Sequence, residues 1–229
     1  MISQICELIF KGEKMKIISK VFKVFVPILL LGTANLSAAD CTHKIGSVLS
    51  LTGAYGAHGV PISRAAQMGV EHVNEARKQL GVGCDLVYDV RDSNTQASVA
   101  VDAARKLIDI EGVTALVGPI SSGITAPLLS SVTVEKNVVV VATASTSSTF
   151  TNMGKRGETK GLFFRTLPAD ALQAVAAAIM AYNAGFRKPS ILYWNNDWGK
   201  NNKTEFVEAF KALGGDIAQT VPFNPDQAS

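Results

Sequence analysis

Residues 113–149, VTALVGPISSGITAPLLSSVTVEKNVVVVATASTSST, limit what this chain can become more than any other stretch. Within them, 113–117 and 138–141 are short β-branched runs with no polar alternation, the pattern of parallel strands covered on both faces. Each run ends in a hydroxyl-rich loop, and a helix fits between the first loop and the second run. In a parallel sheet alternating with helices, ligands gather at the carboxyl ends of the strands, where helix N-termini turn free N–H groups outward. Ser121, Ser122, Thr143, Ser145 and Thr146 are expected at those ends. They offer small neutral donors and acceptors with no metal ligand or evident base, which suits holding a zwitterion better than breaking a bond.

The rest of the chain repeats one unit, strand then helix. A strand at 44–50 leads through the glycine-rich turn 52–59 into a helix carrying Ile62, Ala66, Val70, Val73 and Leu80 at helical spacing. A strand at 85–91 is followed by Asp92, Ser93, Asn94 and Thr95, read as a capping cluster, and by a helix through Val99, Ala103, Leu107 and Ile110. The central stretch supplies the third and fourth strands, and 162–166 the fifth, after a surface loop at 154–161. Beyond it come a helix at 169–184, a strand at 190–194, a helix at 203–213 closed by Gly214 and Gly215, and a strand at 217–221. Right-handed crossovers make such a series a doubly wound α/β sheet. A second domain is expected after Thr166, dividing the chain into 40–166 and 167–229.

The first 39 residues differ in kind. Lys16, Lys20 and Lys23 precede the apolar run 24–31, and Ser37 and Ala39 supply small residues where a signal peptidase would cut. The uncharged stretch 24–39 falls short of the ~20 residues that span a bilayer, so export with cleavage near Ala39 is expected rather than anchoring. Met15, just before the lysines, is a second candidate start. The leader holds five lysines and two glutamates; without it, 17 basic residues face 17 acidic ones. A neutral mature chain gives no support for a nucleic-acid groove.

Export also bears on Cys41 and Cys84, which stand just before two strands expected to be parallel neighbours. A disulfide between them fits that placement and compartment. Two buried thiols, or a lipid anchor on Cys41, remain the alternatives, although Asp40 stands where a lipobox needs a small apolar residue. Gly53, Gly56 and Gly59 are spaced G-x-x-G-x-x-G, not as a dinucleotide loop, and Tyr55 and His58 among them suit lining a small pocket better than admitting a pyrophosphate. No Walker A loop, nucleophile elbow or ligand-spaced histidine cluster occurs in the sequence. Neither a cofactor, a metal nor an enzymatic reaction is expected.

Taken in order, Ile45-Gly-Ser-Val-Leu-Ser-Leu-Thr-Gly53 with Tyr55 and Gly59, Gly118-Pro-Ile-Ser-Ser122, Ala142-Thr-Ala-Ser-Thr146, Phe164-Arg-Thr166 and Asn196-Asp-Trp-Gly199 resemble the periplasmic leucine/isoleucine/valine-binding protein family. The resemblance covers 44–229 and implies the two-lobed type I periplasmic binding protein fold: five strands of a first lobe and the start of a second. It implies an extracytoplasmic protein that delivers an amino acid or similar small polar solute to the permease of an ABC importer. By the same resemblance, Ser122 and the following helix N-terminus would hold the ligand carboxylate. The Ala144 backbone carbonyl would contact the amino acid, the Thr146 hydroxyl would touch both its ammonium and its carboxylate, and His58 and Trp198 would flank the ligand from opposite lobes. His58 stands where a phenol is common in the family. A sensory ectodomain of the same fold is the second reading, and a nucleotide-dependent enzyme the last. Family members run to nearly twice this length, so the chain is expected to be truncated. An acidic partner for the ammonium, which the family takes from the later part of the second lobe, would then be missing, and binding by 40–229 alone is expected to be millimolar at best.

Overall fold

The computed structural model describes residues 41–224; the leader expected over 1–39 lies outside them. Five parallel strands, β1 (Thr42–Leu49), β2 (Asp85–Asp92), β3 (Ala115–Val117), β4 (Val139–Ala142) and β5 (Phe163–Arg165), form one sheet in the order β2-β1-β3-β4-β5. The order reverses direction between β1 and β3, the topological switch point where ligands bind in open α/β sheets. Register is set by β1, whose Thr42 faces Asp85 on β2 and whose Gly46 faces Leu116 on β3.

Three helices alternate with the first four strands: α1 (Gly56–Leu80), α2 (Ala97–Arg105) and α3 (Ser122–Leu128). The last two each run on into a π-helical turn, 106–110 and 129–133. The core lies where the sheet meets these two helices. Val48, Leu116 and Val140 pack with Ala104, Leu107, Ile124, Leu128 and Leu129, all at most 2% exposed. The β-branched runs read from the sequence are the strands that feed this core.

After α4 (Thr149–Lys155) and β5, the chain makes α5 (Ala171–Asn183), β6 (Ser190–Trp194), α6 (Asp197–Ala212) and β7 (Gln219–Phe223). β6 and β7 form a separate parallel pair, and α5 packs on α6, with Phe210 buried between Tyr182 and Phe206. Among the described residues no helix is long and apolar enough to cross a membrane.

Three local expectations change. The 154–161 loop is the end of α4 followed by hydrogen-bonded turns, pinned by Thr159, which is 4% exposed. Helix α6 begins at Asp197, six residues ahead of the expected start, because Asn196 caps it by accepting from the Gly199 N–H at 2.8 Å. The Asp92 cluster does not cap α2, whose N-cap Gln96 makes no side-chain bond. Asp92 instead turns back to the β1 end and accepts from the Leu51 and Thr52 amides at 2.9 and 3.2 Å. The Asn94 amide donates to the same oxygen at 2.8 Å, so the carboxylate is taken up by the two loops and not by the helix.

Candidate functional site

A cavity of about 420 Å³ opens at the carboxyl ends of β1, β3 and β4 and is walled on its far side by the start of α6. Tyr55 ends the short 3-10 turn after β1, His58 lies in the first turn of α1, Ser121 and Ser122 open α3, and Ala144 follows β4. Trp198, the second residue of α6, completes the lining. Five of the six residues predicted for the site therefore meet in one cleft.

Two glycines set the walls this close. A Cβ on Gly59 would stand 1.8 Å from the Ser50 carbonyl oxygen, and one on Gly199 would stand 2.1 Å from that of Trp194. Each lets a helix N-terminus press against the end of the strand before it, carrying His58 in one case and Trp198 in the other.

The polarity of the cleft follows from its hydrogen bonds. Ser122, 2% exposed, accepts the Ser147 N–H at 3.2 Å, which leaves its own proton free to donate. The first N–H groups of α3 beside it have no intrahelical acceptor. Ala144 presents a carbonyl to which no described group donates. Ser145 is turned inward, bonded to Thr125 Oγ1 at 2.6 Å, and ties the β4 loop to α3. Burial pushes the Tyr55 phenol above its usual range.

Thr146, the sixth predicted residue, is half-buried and off the cavity lining. Its hydroxyl donates at 2.5 Å to Asp170 Oδ2, which also accepts from Trp198 Nε1 at 2.5 Å and from Asn202 Nδ2 at 3.5 Å. Asp170 precedes α5 at the N-cap position, yet its side chain makes no capping bond. In the sequence Asp170 falls inside the helix expected over 169–184, with no role of its own, whereas the helix starts at Ala171. Trp194 was also missed: its ring stacks on Tyr55, centroids 5.1 Å apart at 24°. Arg165, its charge disfavoured by burial and partly restored by Asp170, donates to the carbonyl of Ser147 at 2.9 Å and to Thr151 Oγ1 at 2.6 Å.

The family model described as periplasmic binding protein matches residues 42–229. A Leu/Ile/Val-binding protein, BraC3, from Rhizobium johnstonii is 32% identical over 194 residues, which is 83% of this chain and 49% of the relative. The fold is shared with a leucine binding protein, LivK, from Thermotoga maritima (TM-score 0.65, 24% identity, 82% of this chain and 51% of that one). It is also shared with an ABC transporter solute binding protein from R. palustris solved with 4-hydroxybenzoate (TM-score 0.66, 23% identity, 82% and 48%). The chain spans about half the length of the relatives it matches.

Proposed function

The chain belongs to the periplasmic binding protein family, and on that premise we propose that it holds a small amino acid or similar zwitterion for delivery to the permease of an ABC importer. The observation that carries this reading is the opposed polarity of a single cleft. At one end Ser122 and the first amides of α3 are donors with no basic side chain among them, enough to neutralise a carboxylate by hydrogen bonding and helix dipole. At the other the Ala144 carbonyl is an open acceptor, suited to an ammonium. Between them Tyr55, His58, Ile62, Ile120 and Trp198 make a mostly apolar, aromatic wall for a side chain. Such a site binds its ligand by complementarity and holds no pair of groups arranged to attack a bond.

Export to the periplasm with loss of 1–39 belongs to the same reading, as does a division of labour between a first lobe, 40–166, and a second starting at 167. The similarity to a Leu/Ile/Val-binding protein makes branched-chain amino acids the first ligands to try.

Calorimetric titration of the purified protein against L-amino acids and small organic acids tests the proposal. Ser122→Ala should weaken binding of the preferred amino acid by about 1.5 to 3 kcal/mol, the worth of a hydrogen bond to a charged group, with melting unchanged. Unchanged affinity in that variant would remove Ser122 from the site.

A further inference from the structure

We infer that Cys41, Cys84 and His43 form a zinc site when the disulfide between the two cysteines is reduced. The site lies at the amino ends of β1 and β2, at the opposite edge of the sheet from the cleft, and is independent of the amino-acid reading.

The pairing of β1 with β2 brings the three residues together. Sγ of Cys41, Sγ of Cys84 and a ring nitrogen of His43 all lie within 4.8 Å of one another. Side chains alternate along a strand, so Cys41 and His43 share a face on either side of Thr42. Thr42 pairs with Asp85, which sets Cys84 across from Cys41. Spacing along the sequence does not show this grouping, because Cys84 joins it only through the register. The placement does not depend on the disulfide. Asn74 of α1 clasps Leu86, accepting from its N–H and donating to its carbonyl, both at 2.8 Å, and Arg77 donates to the Gly83 carbonyl. Cys84 is thus held from both sides, and the ladder from Thr42 to Leu49 keeps Cys41 opposite it once the S–S bond is opened.

Reduction supplies the ligands. A dithiol reductant passes two electrons and two protons to the bridge, becomes a disulfide itself, and leaves Cys41 and Cys84 as thiols. Zinc(II) then displaces both thiol protons to solvent, and the two thiolates and a lone pair of the His43 imidazole each form one bond to it. Two thiolates and an imidazole are a donor set that zinc accepts, with water in the fourth, tetrahedral position. Bonds of about 2.0 to 2.3 Å put such ligand atoms about 3.3 to 3.8 Å apart, so the imidazole has about 1 to 1.5 Å to travel, within reach of side-chain rotation. Cys41 and His43 are exposed and Cys84 is half-buried, which gives the ion a way in. Among the described residues none holds the His43 imidazole in another hydrogen bond or ion pair.

The test titrates zinc chloride into the purified mature protein, unreduced and after reduction by a phosphine that is then removed under anaerobic conditions. The reduced protein should bind one zinc per chain with a dissociation constant below about 1 μM, read by competition with a chromophoric chelator, and the unreduced protein at least about 100-fold more weakly. Cobalt(II) in place of zinc should give thiolate-to-metal charge-transfer absorption only after reduction. His43→Ala should weaken zinc binding by about tenfold or more, and Cys84→Ser should weaken it further and diminish the cobalt band. Saturating zinc should also raise the urea midpoint of the reduced protein and leave that of the unreduced protein unchanged, which keeps the test decisive if reduction loosens the fold. Zinc binding that is equal before and after reduction, or that survives His43→Ala undiminished, would be adventitious surface binding and would overturn the inference. A reduced protein that neither binds zinc nor gains stability from it would overturn it as well.

Discussion

Tyr55 stacks on Trp194 with ring centroids 5.1 Å apart, a contact that joins the end of the five-stranded sheet's first strand to the end of β6 in the two-stranded sheet. Aromatic pairs of this kind contribute about 0.5 to 1.5 kcal/mol beyond the area they bury. Tyr55→Phe keeps the ring and should leave ligand affinity nearly unchanged. Tyr55→Leu should weaken it by about that energy and shift the emission of Trp194, one of only two tryptophans in the chain. Fluorescence titration of both variants reads the two effects together; equal losses in both would assign the role to the hydroxyl and not to the stack.

Cys41 and Cys84 are both disulfide-bonded, and they stand immediately before Thr42 and Asp85, which face each other in the β1–β2 register. Thiol titration of the denatured, unreduced mature protein should therefore find neither free. Reduction should lower stability by about 2 to 4 kcal/mol, read as a fall in the urea midpoint. Two reactive thiols before reduction would refute the expectation.

Much of this was legible in the sequence because it is local. The unalternated runs at 113–117 and 138–141 could only be strands buried in a parallel sheet, and they became β3 and β4. Ser122, Ala144, Tyr55 and His58 follow strands, so a βα reading alone brings them to one edge. Asp170 could not be read in this way: its partners Thr146, Trp198 and Asn202 lie 24, 28 and 32 residues away, and only the packing of α6 against the β4 loop assembles them. Asp92 misled for the converse reason. Its position suits a helix cap, but the amides of the β1 loop, some 40 residues earlier, compete for it and win.

That competition makes Asp92 a source of acid sensitivity. Burial alone would raise its carboxyl, but hydrogen bonds from the Thr52 hydroxyl and from the amides of Asn94, Thr52 and Leu51 outweigh it and hold the group below the usual carboxylate range. A carboxyl depressed in the folded state contributes stability that is fully present above its unfolded value, near pH 4, and is lost as pH falls through the folded value. Asp92→Asn should thus be less stable than wild type at neutral pH and lose less on acidification below about pH 4. Urea midpoints measured along that pH range check it; parallel curves would show that Asp92 contributes nothing to the acid response.

Gly59 and Gly199 allow a direct test of how the two walls of the cleft are set. A methyl group at either position would fall 1.8 Å from the Ser50 carbonyl oxygen or 2.1 Å from that of Trp194, and in both cases the obstacle is backbone, which cannot rotate aside. The helix must move instead. Gly59→Ala and Gly199→Ala should each cost about 3 kcal/mol, at the upper end of overpacking penalties. The displacement carries different passengers: His58 rides on the first helix and Trp198 on the second, so each variant should also weaken ligand binding from its own side. Gly69 is the control, since it lies in the interior of α1 and a Cβ there meets nothing within 4 Å. Gly69→Ala should stabilise the protein by about 0.5 to 1 kcal/mol through helix propensity and leave binding alone. Denaturant melts and calorimetry on the three variants decide the matter: if Gly59→Ala and Gly199→Ala behave like Gly69→Ala, close approach of helix to strand is not what brings His58 and Trp198 to the cleft.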